Sequence, residues 1–150
     1  MTGIKIQINS PFKGLPKEVS VLTTISFLVA VGFGLIIPAI PIFAKTFGVS
    51  NTLIGLIVSS FAIMRFVSGL FSGKLVDKFG ERVVLGFGLF MVSIFTLLAG
   101  LAQNYEQLLF FRTAGGLGSS MFSVSAGALI LRVVSDSQRC RAQSLYNGGF

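Results

Sequence analysis

The chain has 150 residues, 53% of them hydrophobic and only 11% charged, and a mean hydropathy of +0.86, whereas soluble domains carry charge on roughly a quarter of their residues. This composition excludes a water-soluble single domain. Twelve Lys and Arg against five Asp and Glu give a net charge of +7; in a soluble chain that surplus would raise nucleic acid as a partner, but its placement here excludes one.

Stretches without Asp, Glu, Lys or Arg cover residues 19–44, 46–64, 83–105 and 113–131, each near or above the roughly 18 residues that mark a membrane-span candidate. The expected fold class is an all-α polytopic membrane protein: a helical bundle of four complete transmembrane helices and the start of a fifth. Residues 1–18, with Pro11 and Pro16, form a polar tail. The first helix is expected over about 20–43, with Gly32, Gly34, Pro38 and Pro41 in its later half. Proline removes an N–H bond and glycine permits close backbone approach, so this part is expected to be kinked, either for packing or as a cavity lining.

The second helix is expected over about 51–73, with Ser50 or Asn51 as cap, and the third over about 83–102. Asn104 and Gln107 have capping-box spacing ahead of a fourth helix over about 106–132, and a fifth begins at about 142. The short loops after the first and third helices make neighbouring helices antiparallel. In the fourth helix Arg112, Gly116, Ser119, Ser123 and Gly127 share one small, polar face at 100° per residue. Both helix packing and cavity lining fit that face.

The basic residues set the orientation. Lys5, Lys13 and Lys17, then Lys74, Lys78 and Arg82, then Arg132, Arg139 and Arg141 occupy one set of ends, while Lys45 stands alone in the other. Positively charged loops stay in the cytoplasm, which places the amino terminus inside, in a multi-pass protein of the plasma or inner membrane. Cys140 is the only cysteine and histidine is absent, so no intrachain disulfide and no His or Cys metal site is expected.

Arg65 and Arg112 lie within the spans, where a charge costs roughly 2.5 to 3.5 kcal/mol on insertion scales. Apart from Glu106 at the very start of the fourth, no Asp or Glu occurs inside the four spans, so backbone carbonyls, residues of further helices or an anionic ligand are the expected counter-groups. Both arginines, with Gly116, are candidates for coupling or substrate contact.

Between the second and third helices the chain reads Gly73, Lys74, Leu75, Val76, Asp77, Lys78, Phe79, Gly80, Glu81, Arg82. This segment resembles the signature loop of the major facilitator superfamily, G-x-L-x-D-(R/K)-x-G-(R/K)-(R/K), through Gly73, Leu75, Asp77, Lys78, Gly80 and Arg82. Arg112, Gly116 and Gly118 similarly resemble the family's R-x-x-x-G-x-G pattern in its fourth helix. Arg139, Cys140, Arg141 and Ala142 resemble the R-G-R-A run before its fifth.

The resemblance covers about residues 20–150 and is nearest the twelve-helix drug:proton antiporter type. It makes residues 19–150 part of an amino-terminal six-helix half and implies secondary transport by alternating access. Efflux of a small molecule is implied, hydrophobic cargo being mildly favoured by the 16 Phe. The implied partners are that substrate, a proton, the lipid bilayer and the remaining helices of a longer chain; no cofactor is expected. An integral membrane enzyme acting on lipid and a non-transporting scaffold are the alternatives, and the enzyme lacks the His or paired carboxylates it would need.

The resemblance further implies that Gly73 and Asp77 latch the two halves in the outward-open state, and that Arg112 bonds to the first helix near Gly32 and Gly34. Glu81 and Arg132 each reverse the charge usual at their positions, which implies a swapped ion pair. The carboxylate many relatives carry in the first helix is absent here.

Overall fold

A computed structural model describes residues 17–148. Five α-helices follow in order: α1 (Lys17–Lys45), α2 (Asn51–Phe79), α3 (Glu81–Gly100), α4 (Tyr105–Val133) and α5 (Arg139–Gly148), with a single 3-10 turn at Asp136–Gln138 before α5. No strand occurs among the described residues, and α1 to α4 are each long and apolar enough to cross a membrane. The fold is all-α and polytopic. Most of the tail, including Lys5, Pro11, Lys13 and Pro16, lies outside the described residues.

The described residues form two compact units, Val31–Leu129 and a second that combines residues 17–30 with 130–148. In the larger unit α4 is the enclosed helix: 61% of its most apolar window is buried, against 17% or less in α1, α2 and α3. Glycine makes this enclosure possible. A Cβ built on Gly116 would lie 2.6 Å from the Phe61 carbonyl oxygen of α2, and one on Gly118 would lie 2.8 Å from the Val92 nitrogen of α3. Gly88 meets Gly118 from the α3 side, where a Cβ would lie 2.9 Å from the Gly118 carbonyl oxygen. Without much hydrophobic drive between helices in lipid, such close backbone approach is a main source of helix association.

Two apolar clusters flank this contact. Ile40, Ala44, Ile54, Ile57, Ala99, Ala102 and Leu108 form one, and Val76, Val84 and Met121 the other, with Leu75 packed against the second. Large apolar residues such as Leu35, Phe66, Leu70 and Phe90 stay exposed. In the smaller unit Val19, Leu22, Ile130, Val134, Ala142 and Tyr146 are buried.

The structure departs from the sequence reading at the end of α2. The segment from Gly73 onward is helical to Phe79, and Gly80 alone separates α2 from α3. Lys74, Leu75 and Lys78 favour helix, so charge after Gly73 does not end it. Gly80 ends it, at φ 84° and ψ 152°, a region open essentially to glycine. Its N–H donates to the Val76 carbonyl, and its own carbonyl accepts from the Val84 N–H, so one residue closes α2 and opens α3.

Helix α1 runs through Pro38 and Pro41, which leaves the carbonyls of Gly34 and Ile37 without their i+4 donors. A smaller difference concerns α5. Helix α5 starts at Arg139, ahead of residue 142, with Arg139 paired to Asp136 at 2.9 Å.

Candidate functional site

Helix α4 carries the site, and its start is fixed by side chains. The Gln107 N–H donates to Asn104 Oδ1 at 2.9 Å, and Gln107 Oε1 accepts from the Gln103 N–H at 3.0 Å. This is a capping box whose return bond falls one residue earlier than usual. Tyr105 then donates its hydroxyl to the Leu53 carbonyl at 3.0 Å, tying the first turn of α4 to α2. From that anchor the helix carries Arg112 two turns inward.

Arg112 is buried, at 5% exposure. Its guanidinium carbon lies 4.5 Å from the centre of the Phe61 ring of α2. Phe61 in turn meets Phe33 of α1 edge-on, with ring centres 5.8 Å apart. Phe33 sits between Gly32 and Gly34, so the contact between Arg112 and this part of α1 runs through two aromatic rings. No hydrogen bond from Arg112 to Gly32 or Gly34 is present among the described residues, and Arg112 Nε is buried without an acceptor. The two glycines face open space.

Beside Arg112 is a half-open cavity of about 170 Å³. Ile36, Ala39, Ile40 and Phe43 of α1, Thr96, Ala99 and Gly100 of α3, and Leu108 of α4 complete its wall. Arg112 is the one charged side chain lining it.

Arg65 lies at the midpoint of α2 and is exposed. One Nη donates to Ser123 Oγ at 3.1 Å. This partner is a neutral hydroxyl of α4, a kind the sequence reading did not consider. Ser123 donates in turn to the Ser119 carbonyl at 2.9 Å.

Below Arg65 three more serines form a polar seam that sequence reasoning missed. Ser68 and Ser120 hydroxyls lie 2.7 Å apart, and Ser72 and Ser120 hydroxyls 3.2 Å apart. Ser72 and Ser120 are nearly fully buried. The legible signal was Ser68 and Ser72 one helical turn apart within an apolar span, since serines there bond across helices.

The polar face of α4 is thus shared out. Gly116 and Ser123 meet α2, Arg112 lines the cavity, and Gly127 faces open space. At the far end of α2, Asp77, Lys78 and Arg82 are exposed, with Lys78 Nζ 5.3 Å from the Phe79 ring centre. Asp77 makes no hydrogen bond or ion pair among the described residues, and a Cβ on Gly73 would meet nothing within 4 Å. Glu81 opens α3 and Arg132 lies in the last turn of α4. The described residues contain no cluster of His, Cys, Asp or Glu suited to a metal ion.

Comparison with known proteins places this architecture. The chain is 29% identical over 138 residues to Quinolone resistance protein NorA of Staphylococcus aureus (strain MRSA252), covering 89% of this chain and 36% of the relative. It is 30% identical over 116 residues to Multidrug resistance protein 2 of Bacillus subtilis (strain 168), covering 77% of this chain and 29% of the relative. The chain therefore spans about a third of the length of these relatives. The sequence model of the Major Facilitator Superfamily matches residues 22–150. With four helices fit to cross a membrane and the signature residues at the junction of α2 and α3, the chain is a multi-pass membrane protein and belongs to the Major Facilitator Superfamily.

Proposed function

We propose that these helices belong to a secondary transporter that exports small, largely apolar drug-like molecules across the plasma membrane by alternating access, driven by proton entry. The observation that carries this reading is the family match over residues 22–150, joined to relatives named for quinolone and multidrug resistance. The substrate would bind near mid-membrane between these helices and further ones, since the matched relatives are more than twice as long.

The remaining parts follow from charge and position. Lys74, Lys78 and Arg82 at the junction of α2 and α3, against Lys45 at the end of α1, support a cytoplasmic amino terminus. Asp77 and the open position at Gly73 sit where a helix N-terminus from the other half would dock, its positive end facing the carboxylate. Coupling to protons would require a membrane carboxylate on further helices, since the first span, residues 19–44, carries none.

The test is accumulation of ethidium and a fluoroquinolone in bacteria stripped of their own efflux pumps and expressing the complete protein. Lower accumulation than with empty vector, reversed by a protonophore, is expected. Equal accumulation at verified membrane expression overturns export of these drugs, and resistance to the protonophore overturns proton coupling alone.

A further inference from the structure

We propose that the cavity beside Arg112 is a binding site for a small aromatic monocarboxylate. The pocket is half open, and its volume of about 170 Å³ leaves room for a single ring, since an enclosed apolar cavity of about 150 Å³ takes up benzene. The wall is aliphatic and aromatic, from Ile36, Ile40, Phe43, Ala99 and Leu108, and suits a single ring.

Charge selects the rest of the ligand. Arg112 is 5% exposed, and arginine does not lose its proton in proteins. Phe61 covers the guanidinium carbon at 4.5 Å, but a phenyl ring brings no lone pair to the N–H groups, and Nε is buried with no acceptor. A buried charge without a matching acceptor is costly. A carboxylate satisfies it, because its two oxygens match the guanidinium fork and its single negative charge balances the single positive one. A phosphate fits less well, since its additional oxygens would face the aliphatic wall, where Thr96 is the only other polar side chain.

This site lies within the described helices and does not depend on the transport reading. The experiment uses the complete protein in nanodiscs of zwitterionic lipid, with benzoate as probe and benzyl alcohol as its neutral counterpart, each followed by saturation-transfer NMR and titration calorimetry. Benzoate should bind saturably and at least about tenfold more tightly than benzyl alcohol, given the charge-assisted pair. Ala99→Leu, which fills the cavity, should abolish binding of both. Arg112→Gln should remove the preference for benzoate and leave benzyl alcohol binding. Ile40→Phe serves as a second filling variant if Ala99→Leu fails to give a monodisperse protein.

Absence of saturable benzoate binding overturns the proposal, whether water or another helix of the complete protein fills the cavity. Equal affinity for the two probes, or binding indifferent to the filling variants, overturns it as well. Drug efflux is not read in this experiment, so failure here leaves the transport reading standing.

Discussion

Gly116 of α4 lies so near Phe61 of α2 that a Cβ added to it would sit 2.6 Å from the Phe61 carbonyl oxygen, with the Arg65 nitrogen 3.2 Å away. Backbone atoms cannot step aside as a flexible side chain can. Gly116→Ala should therefore push α2 and α4 apart and cost about 1 to 3 kcal/mol, the usual price of overpacking. Gly69→Ala meets nothing within 4 Å and should be neutral or mildly stabilising through helix propensity. Thermal unfolding in detergent checks both, and equal midpoints for the two variants would contradict the close contact.

The hydroxyl pair Ser68 and Ser120, 2.7 Å apart, calls for a double-mutant cycle. Interhelical hydrogen bonds in membranes average about 0.6 kcal/mol and reach about 1.7, so the coupling between Ser68→Ala and Ser120→Ala should fall in that range. Ser120 also faces Ser72, so Ser120→Ala should destabilise more than Ser72→Ala does. Strictly additive losses would mean that the pair contributes nothing.

Gly80 and Gly73 offer a contrast between two glycines of one motif. Gly80→Ala forces a Cβ onto φ 84° and ψ 152° and should cost roughly 1 to 3 kcal/mol. Gly73→Ala sits in a helix with open space around it and should leave the stability of these helices intact. If Gly73 receives a helix of the other half, the same alanine should lower drug export. Unfolding midpoints and ethidium efflux, measured side by side, separate the two roles.

These cases show what the sequence could disclose. The helices were legible because long uncharged stretches admit few other structures, and the capping pair Asn104 and Gln107 marked where α4 starts. The end of α2 was not legible: Gly73 and the charges after it look like a loop, yet Gly80 alone has a backbone that breaks the helix. The partner of Arg65 escaped for another reason. A search for carboxylates overlooks Ser123, 58 positions away, because only the register of α2 against α4 brings the two together. Periodicity likewise groups Arg112, Gly116, Ser123 and Gly127 on one face without saying which neighbour each meets.

Asp77 is exposed and without a hydrogen-bond or ion-pair partner among the described residues. Its replacement should cost the fold little and the proposed switch a great deal. Asp77→Asn keeps size and shape but removes the charge that would meet a helix N-terminus, an interaction of typically 0.3 to 1 kcal/mol, and up to about 2 when partly buried. Efflux of ethidium should fall severalfold while the unfolding midpoint stays within error. Unchanged efflux would remove Asp77 from the switching mechanism.

Arg112 and Phe61 make the last prediction, because one contact serves both the fold and the proposed transport. A cation over an aromatic ring contributes about 0.5 to 1 kcal/mol when exposed and about 2 or more when desolvated, and Arg112 is buried. A cycle of Phe61→Leu with Arg112→Gln should therefore show coupling near the upper figure, read from unfolding midpoints at fixed pH. Arg112→Lys keeps the positive charge but replaces a planar fork by a compact ammonium. The buried Nε–H is lost with it, so export should fall and its pH profile should shift even where the protein remains folded. Normal export by Arg112→Lys across the pH range would show that charge alone suffices at this position, and would confine the Phe61 contact to stability.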